Sequence, residues 1–216
     1  VTTKPQLSRT SRTQLKKAAH KVSLEVEHLY QTIDASNIAH IAINDKRGPS
    51  VIPMLAWRED DNIFIHGAKN SPMIRYLKSG ANTCLTFTLF DGWVLARSAF
   101  HHSAHYRCAM VFGQFTTVED NAEKSRLLDI FIDHIAPGRS KEVRTSSERE
   151  LTATELLVMP LAEASLKISD RGVNDDIADM DHDVWAGVLP YHTQIGPAIT
   201  DSKSQVKRVP DYLNLE

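Results

Sequence analysis

The chain has 216 residues, 42% of them hydrophobic, with 25 Lys and Arg against 27 Asp and Glu. That length allows one domain, or two small ones, with a core of useful size. The near-even charge excludes wholesale binding to nucleic acid or a membrane surface, and no apolar run approaches the roughly 18 residues of a membrane span.

Residues 1–12 are polar and read as a frayed tail, basic but without the apolar stretch of a secretory signal. From Leu15, the positions Ala18, Ala19, Val22, Val26, Leu29 and Ile33 recur at three- and four-residue steps, which predicts an amphipathic helix. His40–Ile43 and Ser50–Leu55 flank the turn Asp45–Gly48 and predict a β-hairpin, with Pro53 marking an edge or a bulge. Ile63–His66 predicts a third strand. Ser71–Pro72 is a helix start, with Ser at the N-cap and Pro at N1, and Gly80 is its stop. Thr83–Phe90 is rich in β-branched and aromatic residues and predicts a strand. Asp91–Gly92 then reads as a hairpin turn, with Trp93–Phe100 as the partner strand. Arg107–Val118 predicts another strand with a bulge at Gly113.

Asp120 with Glu123 reads as a capping box for a second long helix, ended by Pro137–Gly138. Ser147–Ala153 predicts a short helix and Glu155–Met159 a last strand. The acidic stretch Asp175–Asp183 lacks the spacing of a calcium loop and reads as a solvated loop. Cys84 and Cys108 are too few for a disulfide framework, so two free, buried thiols in a reducing, cytoplasmic compartment are expected. Short strands with peripheral helices predict a mainly β fold, a small β-barrel with helical cover. The absence of a GxGxxG or Walker A sequence argues against a Rossmann or P-loop enzyme.

Three segments carry candidate chemistry. In His66-Gly67-Ala68-Lys69-Asn70-Ser71-Pro72-Met73, a strand passes through a glycine into a capped helix. Such a turn can hold an anion, with Lys69 and Ser71 adding a charge and a hydroxyl. Between Arg97 and Arg107, two arginines, His101, His102, His105, Ser98, Ser103 and Tyr106 make a donor-rich segment suited to an anionic or hydrogen-bonding ligand. The histidines are expected as hydrogen-bond donors and packing groups, with no metal, because no zinc-type spacing is present. Trp185, beside small residues, can cover a planar ligand or dock the chain end.

The strings GPSVIPML, IFIHGAKNSPM, CLTFTLFDGWVLARSAFHHSAHYRCAMVFG, ELTATELLVMPLAEASLKI and VWAGVLP resemble the flavin-nucleotide-binding branch of the pyridoxamine 5′-phosphate oxidase-related proteins, over roughly residues 15–191. The resemblance implies a split β-barrel, a homodimer and non-covalent FMN held between subunits. Position by position, His66, Gly67, Ser71, Arg97, Ser98, His101, His102, Ser103, Tyr106, Arg107 and Trp185 match the family's motifs; with the residue reading, cofactor contacts are expected at these positions other than His101 and at Pro53, Met54, Ala68, Lys69 and Met73. The chain departs from the family where Pro72 replaces an arginine, His105 an asparagine and Cys108 a serine. Ser169–Asn174 replaces a loop with paired prolines.

On this reading, residues 13–192 form one domain and 193–216 an extension. The function expected is an FMN-dependent oxidoreductase acting on a small molecule, with NADH, NADPH or another donor. The alternatives are a non-catalytic flavin protein for storage or sensing, and a binder of another planar cofactor such as haem or a deazaflavin.

Overall fold

The computed structural model describes residues 5–14 and 17–213. In chain order these form β1 (Val22–Ser23), α1 (Val26–Asp34), β2 (Ile38–Asp45), β3 (Gly48–Leu55), β4 (Trp57–Glu59), β5 (Asn62–Ala68) and α2 (Pro72–Lys78). Then come β6 (Thr83–Leu95), β7 (Ser103–Gly113), β8 (Thr116–Thr117), α3 (Asn121–Ile135), α4 (Glu148–Ala153), β9 (Thr154–Pro160), β10 (Ala164–Ser169) and β11 (Gly187–Pro190). The strands make two antiparallel sheets. One runs β1-β10-β7-β6-β2-β3, with β11 added to β6, and the other runs β4-β5-β9-β8. The mainly β barrel with helical cover is therefore the fold observed.

Side chains alternate across each strand, so one row faces the core and the next faces outward. On β6, Leu85 and Phe87 are fully buried, while Cys84, Thr86 and Thr88 form the opposite row. The main core gathers Leu85 and Phe87 with Ile41 of β2, Val111 of β7, Leu29 and Ile33 of α1, and Ile74 and Leu77 of α2. A second core lies under α3, where Leu127 joins Trp57, Phe64 and Leu156. The outward row of the large sheet is different. Ile38, Val51 and Leu55 are exposed there, Val51 at 63%.

The structure corrects several expectations. The first helix starts only at Val26. Ala18 adopts a left-handed backbone, and Val22–Ser23 pair with Lys167 and Leu166 of β10, so strand pairing overrides the helical period. Leu15 and Lys16 lie outside the described residues. Of the tail expected to fray, residues 1–4 lie outside the described residues and Leu7 is docked: it is buried in the main core and its amide donates to the Leu24 carbonyl at 2.8 Å. Asp91–Gly92 is not a turn. β6 runs through it, with a register shift between Phe90 and Gly92, and pairs with β7 almost to its end. Gly92 is required there because β11 lies against it; an added Cβ would sit 2.6 Å from the Leu189 carbonyl oxygen.

Gly113 closes the regular β6–β7 ladder opposite Thr83 and makes no bulge. Asp120 does cap α3 by accepting from the Glu123 amide at 2.7 Å, but the Glu123 side chain turns to Arg126. The reciprocal capping box belongs to α4, between Ser147 and Glu150. The strand at 154–160 is followed by two more, β10 and β11. Both cysteines are free and half-buried. No helix among the described residues is long and apolar enough to cross a membrane.

Candidate functional site

The first candidate segment leaves β5 and enters α2. Ser71 is the N-cap, as expected, but its hydroxyl makes no capping bond. Its amide donates to Ala68 at 2.9 Å and its carbonyl accepts from Arg75 at 3.0 Å. Pro72 at N1 has no N–H, and the Lys69 amide is spent on the Ala153 carbonyl at 3.1 Å, so the turn offers few free amides to an anion. What it does offer is the exposed Lys69 side chain and the uncommitted Ser71 hydroxyl. Gly67 packs closely on α2: a Cβ there would meet Ile74 at 3.0 Å. Met73 is buried in the main core.

His66 precedes this turn and is half-buried against the Trp57 and Phe131 rings, with centroids 5.8 and 5.0 Å away. Its Nδ1 is enclosed and unpaired, and so is Trp57 Nε1. Burial pushes the imidazole pKa below its ordinary value, so the ring is neutral near pH 7. Pro53 and Met54 lie on β3, the edge strand that Pro53 predicts. Pro53 is exposed, and Met54 leans on the core.

The second segment is the β6–β7 connection. Its two arginines are both engaged. Arg107 makes two hydrogen bonds to Asp91, at 3.0 and 2.7 Å, beside a cleft of about 680 Å³ that Tyr191 and His192 also line. Arg97 donates from its amide and its guanidinium to Asp175, each at 3.0 Å. The Asp175 side chain is only 1% exposed, so this part of the acidic stretch is a buried anchor and not a solvated loop. Burial alone would raise the Asp175 carboxyl, but Arg97 and the amides of Arg97 and Ser98 hold it below the usual carboxylate range.

The histidines diverge. His102 Nδ1 donates to the Ser98 carbonyl at 3.0 Å and His105 Nε2 to the Arg171 carbonyl at 2.7 Å, while His101 Nδ1 lies 2.9 Å from Ser98 Oγ. Ser103 opens β7 and is exposed, and the Lys21 ammonium lies 5.3 Å from the Tyr106 ring centroid. Trp185 does not dock as a core residue. It is 66% exposed, and its ring lies over Gly187, where a Cβ would come within 2.6 Å of it. Gly187 pairs with Leu95, so Trp185 stands at the same end of β6 as Arg97.

In chain order α2 precedes the start of β6 at Thr83 and Arg97 follows its far end at Leu95, while Arg107 pairs with Leu89 in mid-strand. At about 3.3 Å per residue the strand between them can reach ~40 Å. No hydrogen bond or ion pair among the described residues joins Ala68–Ser71 to Arg97–Arg107. Sequence reasoning missed Asp91, read as a turn residue, and Asp175, whose partner lies 78 positions away. Residues between Ala198 and Leu213, with the end of α3, Arg139 and Glu142, line an open cleft of about 660 Å³.

Residues 25–168 match the sequence model described as Pyridoxamine 5′-phosphate oxidase. The flavocytochrome Anf3 from Azotobacter vinelandii is similar over 94% of this chain and 95% of its own, at 30% identity and a TM-score of 0.90. The FAD and heme binding protein from Mycobacterium smegmatis is similar over 89% of this chain and 95% of its own, at 34% identity and a TM-score of 0.85. Among curated proteins there is no match.

Proposed function

The chain belongs to the Pyridoxamine 5′-phosphate oxidase family, and from that premise we propose that it is a flavin-binding oxidoreductase acting as a homodimer. What supports this reading is that no hydrogen bond or ion pair among the described residues joins the Lys69–Ser71 turn to the Arg97–Arg107 segment, while the outward row of the large sheet stays exposed. A second copy, docked antiparallel on the outward face of the large sheet, would bring the Lys69–Ser71 turn of one chain to the Arg97–Trp185 end of the other. The exposed Ile38, Val51 and Leu55 supply an apolar face for that docking.

The residues present fit a flavin. Lys69 and the Ser71 hydroxyl are available to a phosphate, the β6–β7 connection supplies donors to a ring edge, and Trp185 offers an exposed aromatic face. Arg97 and Arg107 are neutralised by their own aspartates, so the phosphate charge falls mainly to Lys69. The bound flavin supplies hydride or electron transfer, and the chain orients the ring and keeps water from it.

FMN suits the single compact phosphate turn. FAD is the competing nucleotide, because a relative at 34% identity is described as binding it. Haem beside the flavin is the second reading, favoured by His66: a neutral imidazole with one nitrogen enclosed is the form that ligates iron.

The test is the absorbance spectrum of the purified protein after reconstitution, with heat release and chromatography of the cofactor and anaerobic addition of NADH and NADPH. A flavin band that bleaches with either donor supports the enzyme. A flavin band inert to both favours storage or sensing. A Soret band lost in His66→Ala supports the haem reading. A protein that takes up no flavin, or a monomer that binds it tightly, overturns the proposal.

A further inference from the structure

The loop between β10 and β11 contains one 3-10 turn, Ile177–Asp179, with Asp176 as its N-cap. Side chains three residues apart eclipse in such a turn, so Asp176 and Asp179 come to one side. His182 follows after three more residues, its amide donating to the Asp179 carbonyl at 3.2 Å. Facing them is His101, the last residue of the 3-10 turn Ala99–His101 in the β6–β7 connection.

His101 Nε2 lies 4.0 Å from Asp176 Oδ2, His101 Nδ1 lies 3.9 Å from Asp179 Oδ2, and His182 Nε2 lies 3.9 Å from Asp179 Oδ1. One ligand atom from each of His101, Asp176 and Asp179 falls within 4.8 Å of the other two. Among the described residues no lysine or arginine pairs with Asp176 or Asp179; the neighbouring Arg97 is taken by Asp175. Two carboxylates thus converge on imidazoles without a fixed cation.

We propose that His101, Asp176 and Asp179 bind a divalent transition metal of the zinc type. Mixed imidazole and carboxylate ligands suit zinc, whereas magnesium and calcium take oxygen ligands. At metal–ligand distances near 2.1 Å, a tetrahedral site needs ligand atoms about 3.4 Å apart, so ligand atoms that lie within 4.8 Å of one another must close by up to about 1.4 Å. The exposures allow this: the His101 side chain is 19% exposed and fixed by the fold, while Asp176 is 79% exposed and free to move. Ser98 Oγ holds His101 Nδ1 at 2.9 Å, which leaves Nε2 for the metal, the arrangement in which a second partner orients a ligating histidine. His102 and His105 stay outside the set, because their hydrogen bonds tie them to backbone carbonyls.

This departs from the sequence-based expectation of no metal, because the partners of His101 come from a loop 75 positions later, where no motif spacing announces them. Such a metal would clasp that loop, which leads to Trp185, onto the turn carrying Arg97 and Ser98. The site is independent of the flavin reading.

The test is titration of the full-length, metal-stripped protein with Zn²⁺ against a chromophoric indicator, without added flavin. One equivalent per chain is expected, with affinity at least tenfold weaker in Asp179→Asn and in Asp176→Asn and unchanged in His134→Gln on α3. Asp176 is exposed enough that its variant keeps the fold, which far-UV circular dichroism checks. Less than half an equivalent in the wild type, wild-type affinity in both aspartate variants, or Ca²⁺ binding as tight as Zn²⁺ would overturn the assignment.

Discussion

On the four-stranded sheet, α3 lays Leu127 and Phe131 over Trp57 and Phe64, and Trp57 is left 1% exposed. On the seven-stranded sheet, no helix among the described residues covers the outward row at Ile38, Val51 and Leu55. The first region completes its burial within one molecule, so its apolar area contributes to folding stability. The second leaves apolar area in water, where it favours association instead. Similar alternating strands thus serve two ends, and only the covering element distinguishes them.

The largest expected effect separates the two regions directly. Trp57→Ala should cost about 3–5 kcal/mol of folding stability in urea titrations, as for a large aromatic removed from a packed core. Val51→Ser should change the stability of the dilute monomer by no more than about 0.5 kcal/mol, yet weaken self-association measured by sedimentation at least tenfold. Equal folding losses from both, or unchanged association in Val51→Ser, would dissolve the distinction.

Gly92→Ala tests the sheet's added strand. With a Cβ 2.6 Å from the Leu189 carbonyl, the substitution should detach β11 at a cost of roughly 1–3 kcal/mol. Hydrogen exchange should accelerate in Gly187–Pro190 while β5 and β9 keep their protection. Uniform protection everywhere would show that β11 tolerates the change.

Beside the closed region, Ser147→Ala removes half of the α4 capping box and should cost about 1 kcal/mol. The Glu150 carboxyl is held at about 2 by Arg144 and then by Ser147. Because that value lies below the ordinary one, its contribution is complete above roughly pH 4.3 and is lost as the pH falls toward 2. Acid titration followed by helix signal should show this loss in the wild type and a smaller one in the variant.

The smallest effect concerns His66. Its folded pKa is lowered by burial, so the unfolded chain takes the proton first and stability falls as the pH drops below roughly 6.5. His66→Phe should flatten that slope between pH 6.5 and 5. An unchanged slope would mean that another group carries it.

Much of this architecture was legible in local pattern. Ser71–Pro72, Asp120 and Ser147 mark helix starts by their own chemistry, and the β2–β3 hairpin follows from alternation around a turn. What was hidden depended on distant partners. Asp91–Gly92 carries a turn signature, yet the strand continues because β11, some 95 residues later, needs a residue without a side chain at that point. The first helical period was real in composition but lost to pairing with β10. In the candidate site, the donor-rich segment was visible, while the neutralisation of Arg97 by Asp175 and of Arg107 by Asp91 was not. Acidic residues in loops do not announce which arginine they face.

The unbroken run of β6 from Thr83 to Leu95 has a genetic consequence. If each composite site borrows its Lys69 end from one chain and its Arg97 end from the other, two defective alleles can rescue one another. Pair a chain damaged at Lys69 with one damaged at Arg97. In the mixed dimer both lesions fall on one site and the other is intact, so random pairing restores about a quarter of all sites. Two lesions in the same segment would restore none. The length of one strand thus decides which pairs of alleles complement.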